Sequence, residues 1–262
     1  MKNVKPILVT GCHRSGSTWV GNVLAKSPSV SYIHEPFNGM CRPGKCRVIF
    51  PHTYMYITQA NEENYYDGLN DTLNFKYNIP AELKFLRTPR DLARLTRDYL
   101  IFFYNQLNHI SPLVKDPMAV LSAEWLAHRF QMNVLVLVRH PAAFVSSCKQ
   151  LGWGFHFENL LHQPLLIDKY FKQFEAEIID HVNYEHELID KLTLLWKLIY
   201  TAVIDYQDNN PEWLILRYED ICSQPLSQFN HIFKTFNIEF STTAQKFIQE
   251  STNYSQFKGI FK

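Results

Sequence analysis

Three things are missing from this chain. No apolar stretch approaches the roughly 20 residues a membrane-spanning helix needs; the most apolar run, Val134 to Val138, has the length of a strand. No charge of one sign predominates. The formal net charge is +1, which gives no global positive field for nucleic acid, so any anion site must come from locally placed Arg and Lys. Metal-ligand spacing is missing too: among five cysteines only Cys41 and Cys46 lie close together, and no second Cys or His pair completes a zinc pattern. Free thiols in a reducing compartment are expected, with a local Cys41–Cys46 disulfide as the alternative. No signal-peptide pattern, internal repeat or low-complexity tract is visible, and a cytoplasmic protein is expected. The sequence sets no oligomeric state.

Hydrophobic residues make up 46% of the 262 positions, enough for a substantial core. Strand and helix patterns alternate. A first β-α unit spans about Pro6 to Ala25, and a second strand Val30 to Ile33. An irregular stretch runs from Phe37 to Pro80, a helix from Asp91 to Asn108, and a short strand over Leu113 to Lys115. Asp116-Pro117 is a helix start, predicting a helix from Met118 to Phe130. Val134 to Val138, apolar on both faces, reads as a central parallel strand. Helices follow over Ala142–Gln150, Gln163–His181 and Glu185–Tyr206, then a strand at Trp213–Arg217 and helix to about Glu250. This alternation predicts an α/β fold of three layers, a central parallel sheet flanked by helices, as one domain over 1–262. Residues 37–80 are long for a loop in such a domain and are expected to form an acceptor-side insertion or lid.

The first β-α junction carries the sharpest chemistry. Gly11-Cys12-His13-Arg14-Ser15-Gly16-Ser17-Thr18 has the strand–loop–helix layout of a phosphate-binding loop. An NTPase loop reads G-x-x-x-x-G-K-S/T, with Lys reaching the β- and γ-phosphates. Here the glycines keep that spacing, but Ser17 stands where Lys belongs and Arg14 is the strong cation. Gly16 permits a tight turn and close approach. The N–H groups of Gly16, Ser17 and Thr18 lie where a helix dipole favours negative charge, and Arg14 can fork onto an anion. Taken alone, the segment could equally be a β-turn-α junction with Ser and Thr as caps. Ligands of such sheets bind at the carboxyl ends of the strands; Arg14, Glu35, Lys115, Arg139 and Tyr218 are all predicted there.

A second constellation is Arg139, directly after the best strand, with Ser147 eight residues later. Taken with the first loop, Val138-Arg139-His140-Pro141 through Ser146-Ser147 resembles the 3′-phosphate motif of the sulfotransferases, and Gly11 to Thr18 resembles their 5′-phosphosulfate loop. The resemblance implies a P-loop nucleotide-binding fold and 3′-phosphoadenosine 5′-phosphosulfate as donor, leaving 3′,5′-adenosine bisphosphate. It implies that His13, Arg14, Ser15, Gly16, Ser17, Thr18, Arg139, Ser147 and Tyr218 hold the donor. His34-Glu35-Pro36 is similar to a segment of the tyrosylprotein and Golgi carbohydrate enzymes, Lys115-Asp116-Pro117 to one of the tyrosylprotein enzymes, and Leu216 to Asp220 to a late strand-end segment of the family. By that resemblance Glu35 is the base, Lys115 stabilises the transferring group and Arg14 the leaving phosphate; His34 is the rival base.

The tail departs from the family's closing loop, and Ser255 or Lys258 would have to supply that function. No metal is expected, because no carboxylate pair accompanies the loop. The expected acceptor is a hydroxyl, first of all on a carbohydrate, with Tyr54, Tyr56, Tyr65, Tyr66 and Tyr77 contributing to its cleft. The competing readings are a P-loop kinase-like phosphotransferase, which would need Mg²⁺ ligands, and a non-catalytic nucleotide-binding module.

Overall fold

The fold is known from a computed structural model that describes residues 4–252. Five short strands carry the molecule: β1 Ile7–Gly11, β2 Val30–His34, β3 Ser111–Lys115, β4 Asn133–Val138 and β5 Leu214–Arg217. They form one sheet in the order β2-β3-β1-β4-β5, and every neighbouring pair is parallel. Parallel pairing requires a crossover after each strand, which the intervening helices supply.

Alternation of side chains sends each strand into two cores. Ile7, Val9, Leu113, Leu135 and Leu137 pack with Val20, Val23 and Leu24 of the helix Ser17–Leu24, and with Phe229, Ile232 and Phe233 of the helix Pro225–Thr235. Leu8, Val114, Val134 and Val136 pack on the opposite face with Phe144 and with Leu195, Leu198 and Ile199 of the helix Leu188–Asn209. Each such side chain contributes about 1.5–3 kcal/mol when fully buried. The α/β class, the parallel sheet and its helical layers are as expected.

Three expectations need correction. The stretch Gln163–His181 is not one helix: a turn at Pro164–Leu166 runs into a π turn at Ile167–Phe171, a 3₁₀ turn at Lys172–Phe174 and a helix at Glu175–Asn183. Ile167, Tyr170 and the adjacent Phe171 are all buried, and the wider turn lets neighbouring residues face one core. The segment after Asp116 begins as a 3₁₀ stretch, Pro117–Ser122, in which five of the six residues are buried, and becomes α-helical only at Ala123–Phe130. The last helical stretch breaks after Thr235, where Asn237 takes a left-handed backbone, and resumes at Thr242–Thr252.

The 37–80 segment holds a helix at Tyr66–Leu73 and runs into another at Ile79–Leu83, and it is bound into the second core. Its loop backbone is satisfied from other elements: Thr53 N–H donates to Asn159 Oδ1 at 2.8 Å, Tyr56 N–H to Gln163 Oε1 at 2.7 Å and Ile57 N–H to Ser122 Oγ at 3.0 Å. Buried backbone donors need such partners.

Candidate functional site

The register aligns the carboxyl ends of all five strands. Val9 and His34 both stand opposite Lys115, Gly11 opposite Leu137 and Val138 opposite Arg217. Arg14, Glu35, Lys115, Arg139 and Tyr218 therefore emerge on one edge.

Arg14, in the first loop, has a left-handed backbone (φ 62), and Gly16 (φ 91) is the N-cap of the helix Ser17–Leu24. A Cβ on Gly16 would lie 2.1 Å from the Tyr218 ring, so only glycine fits there. Arg14 Nε donates to Ser147 Oγ at 3.0 Å, and its guanidinium lies 5.7 Å from the centre of the Trp153 ring. Arg139 Nη1 donates to the carbonyl of Arg14 at 2.5 Å, and its guanidinium lies 5.5 Å from the centre of the Tyr218 ring. The first and second constellations thus form one cluster. Arg139 Nε and Ser15 Oγ are buried without a partner. Neither arginine pairs with a carboxylate among the described residues, although most of the other arginines do.

His13 turns away from this cluster. Its ring is buried, with Nδ1 bonded to the Tyr54 hydroxyl at 2.5 Å and Nε2 at 3.4 Å from Cys148 Sγ. Its backbone N–H also donates to the Tyr54 hydroxyl at 3.2 Å. Burial, helped by the Arg14 charge, pushes its pKa down to about 4, so the ring is neutral. Both ring nitrogens and the amide of His13 thus face protein groups beneath the loop.

On the other side of the edge, Glu35 also has a left-handed backbone (φ 45) and its N–H donates to the Lys115 carbonyl at 2.9 Å. Lys115 Nζ donates to Glu35 Oε1, and Asn38 Nδ2 to Oε2 at 2.8 Å. Burial pushes the Glu35 carboxyl up, but the bonds from Lys115 and Asn38 and the Lys115 charge outweigh it, leaving the group below its usual range. Lys115 is only 1% exposed. Its stem packs against Gly21, where a Cβ would meet Lys115 Cγ at 3.1 Å. His34 Nε2 lies 3.9 Å from Glu35 Oε1, on a side chain 59% exposed. Asp116 is fully buried and accepts from the N–H groups of Phe37 at 2.6 Å and Met118 at 2.8 Å, which holds the chain after Glu35 to the end of β3.

Several contributors carry no sequence signal. Tyr200 hydroxyl donates to the Leu137 carbonyl at 3.0 Å and accepts from Arg139 N–H at 3.3 Å. Trp196 Nε1 donates to the Arg139 carbonyl at 2.9 Å. Together they fix the exit from β4; their four-residue spacing on a helix shows that they share a face, but not which strand they meet. The tyrosines expected at an acceptor cleft all pack against other side chains. Tyr54, Tyr56 and Tyr65 are buried in the core, Tyr66 stacks on Phe130 and Tyr77 packs edge-on against Phe102. All five cysteines are free thiols. Ser255 and Lys258 lie outside the described residues.

Among the described residues one cluster has metal-ligand composition: Asp180, His181 and His186. Its two imidazoles stack at 3.9 Å with planes 8° apart. Nitrogen lone pairs lie in the ring plane, so two parallel stacked rings cannot aim at one ion. No helix among the described residues is long and apolar enough to cross a membrane.

The profile of the sulfotransferase family matches residues 6–242. The structure resembles a sulfotransferase domain from the curacin biosynthetic pathway with a TM-score of 0.50 and 15% identity, over 92% of this chain and 76% of that one. A sulfotransferase domain from the Synechococcus PCC 7002 olefin synthase gives a TM-score of 0.45 and 18% identity, over 93% and 77%. A sulfotransferase from Mycobacterium tuberculosis H37Rv gives 0.45 and 17%, over 95% and 71%. At such identities the first likeness bears on the fold alone. No curated protein matches the chain in sequence.

Proposed function

We propose a reaction from one premise: this chain belongs to the sulfotransferase family. It is a transferase, and in our reading it moves a sulfuryl group from 3′-phosphoadenosine 5′-phosphosulfate to an acceptor hydroxyl. The carrying observation is the pair of guanidiniums, Arg14 and Arg139, joined through the Arg14 carbonyl with no carboxylate partner among the described residues. Two cations held together in a half-buried site repel each other unless an anion neutralises them. The unpartnered Arg139 Nε and Ser15 Oγ are donors of the kind phosphate oxygens accept, and the close fit at Gly16 keeps the loop backbone free of side chain. The residues present therefore fit a donor with two anionic ends.

When bound, the donor supplies an activated sulfuryl group on a phosphate leaving group. Arg14 and the first-turn N–H groups of the helix Ser17–Leu24 stabilise charge at the 5′ end. Arg139 holds the 3′-phosphate. Ser147 accepts from Arg14 and so keeps its own hydroxyl hydrogen to donate. Tyr218 fixes the loop from below. Glu35, ionised at neutral pH, takes the proton of the acceptor hydroxyl. Lys115, shielded from water, supplies a fixed positive charge beside it, where charge stabilisation is worth most. The acceptor we propose is a carbohydrate hydroxyl, on the likeness of the Glu35 segment to Golgi carbohydrate enzymes. We take the chain as one domain, with the core-anchored 37–80 segment serving as a fixed wall beyond Glu35 rather than a lid.

Calorimetric titration with 3′,5′-adenosine bisphosphate, beside ATP with Mg²⁺, tests this reading. Metal-independent binding of the bisphosphate, weakened by about 30-fold or more in Arg139→Ala, is expected. Preference for ATP with Mg²⁺ would move the protein to the phosphotransferases.

A further inference from the structure

The helix Pro89–Leu107 is amphipathic the wrong way round. Its buried residues are Leu95, Asp98, Phe102 and Asn105, so half of its inward face is polar. Its outward face carries Leu92, Leu100, Ile101, Phe103, Tyr104 and Leu107, each between 45% and 62% exposed. Leu92, Leu100, Phe103 and Leu107 follow one another at spacings of eight, three and four, which sets them in a single stripe. Leu83 and Phe85, just before the helix, add exposed apolar surface. Isolated exposed apolar residues need no explanation, but a contiguous stripe of them does.

The charges around that stripe are sorted by sign. The acids of this region turn inward. Glu82 pairs with Arg42, Asp91 also reaches Arg42 at 3.5 Å, and Asp98 pairs with Lys45 at 2.9 Å. The bases stay outside: Lys84, Arg87, Arg90, Arg94 and Arg97 are all exposed, although Arg94 lies 3.8 Å from Asp91 and Arg97 2.8 Å from Asp98. Arg90, Arg94 and Arg97 recur at four and three, a basic stripe beside the apolar one. Lys84, Arg87 and Arg90 have no acidic partner among the described residues. In a chain of net charge +1, this is local segregation.

We infer that the surface from Leu83 to Leu107 docks on an anionic lipid bilayer, the apolar stripe entering the headgroup boundary and the basic stripe meeting lipid phosphates. Charge complementarity selects this occupant. A second copy of the chain would bring the same unpaired Lys84, Arg87 and Arg90, with no unpaired acid of this face to meet them. A bilayer of anionic lipids offers both the apolar depth and the negative surface, and interfacial helices combine a basic face with Leu, Phe and Tyr in this manner. The proposal is independent of the reaction assigned above.

Co-sedimentation of the whole protein with vesicles of phosphatidylcholine, with and without phosphatidylglycerol, tests it. Wild type is expected to sediment with the anionic vesicles at low salt and to be released as salt rises. Lys84→Gln, Arg87→Gln and Arg90→Gln together should weaken that partition by roughly a hundredfold, about fivefold per charge. Leu100→Glu with Phe103→Glu should abolish it. Both variants should keep the wild-type melting temperature and affinity for adenosine bisphosphate, since every altered side chain is exposed. Failure of wild type to sediment with anionic vesicles, or undiminished sedimentation of the variants, would overturn the inference. So would a wild-type dimer that binds no vesicles and dissociates on Phe103→Glu, which would give the face to a second copy.

Discussion

Glu35 is held ionised by Lys115 and Asn38 against the opposing effect of its own burial. Its depressed pKa keeps the base active as pH falls, until pH passes below the ordinary carboxylate value of about 4.3. His34 is pushed below its ordinary value by burial, with Lys115 adding to the shift and Glu35 opposing it; as base it would instead give a limb somewhat under pH ~6.5. A pH–rate profile without a limb between about pH 5 and 6.5 is expected, and a limb there would pass the role to His34. Glu35→Gln should lower kcat by roughly 10²–10⁴ while leaving bisphosphate affinity, read by calorimetry, unchanged. Asp116 titrates the opposite way. Burial, with the nearby Glu35 charge, pushes it up to about 7 against the bonds from the Phe37 and Met118 amides. A raised carboxyl contributes stability below its unfolded value of about 3.9, and that contribution is lost as pH rises through about 7. Melting temperature should fall over this window in wild type, and the slope should flatten in Asp116→Asn. The acid–base residues were legible in sequence because each lies at or next to a strand end. Asn38 and Tyr54 were not, because their roles depend on a chain path through 37–80 that no periodicity records.

At the scale of elements, the first loop works only with its neighbours. Gly16 combines a left-handed backbone with a Tyr218 ring in the space of its missing side chain. Gly16→Ala should therefore cost about 1–3 kcal/mol, seen as a lower denaturation midpoint, and should weaken bisphosphate binding; an unchanged midpoint would mean that Tyr218 yields freely. The strand–loop–helix unit and β4 were readable because their signals are local: glycine spacing in one, an unbroken apolar run in the other. The broken path from Pro164 to Asn183 was not, since an apolar pattern of helical period looks the same whether one turn is α or π. Trp196 and Tyr200 illustrate a related limit, for the hydrogen bonds that lock Arg139 join residues 57 and 61 positions apart.

For the whole molecule, alternation of strand and helix gave the layered parallel architecture. The strand order β2-β3-β1-β4-β5 depends on pairings between distant segments and had no local sign. Because the donor cluster joins loops after β1 and β4, a ligand there should stabilise the entire fold. At a hundred times its dissociation constant, adenosine bisphosphate should add about 2.7 kcal/mol. That corresponds to about 5–10 °C for a chain of this size, and thermal melts at the same concentration should show the full shift in wild type and about a third of it or less in Arg139→Ala, where roughly thirtyfold weaker binding leaves about 0.9 kcal/mol.

Tyr218 gives the molecule a defined order of coming apart. Its ring rests over Gly16 while its backbone opens the helix Tyr218–Ser223 directly after β5, one of the sheet's two edge strands. An edge strand with one neighbour is where a sheet frays first. When β5 lifts, Tyr218 leaves with it and the first loop loses its floor, although β1 is still paired on both sides. Amide exchange at the start of the helix Ser17–Leu24 should then keep time with exchange across Leu214–Arg217. Anion affinity would vanish in that early opening, well before the two cores melt.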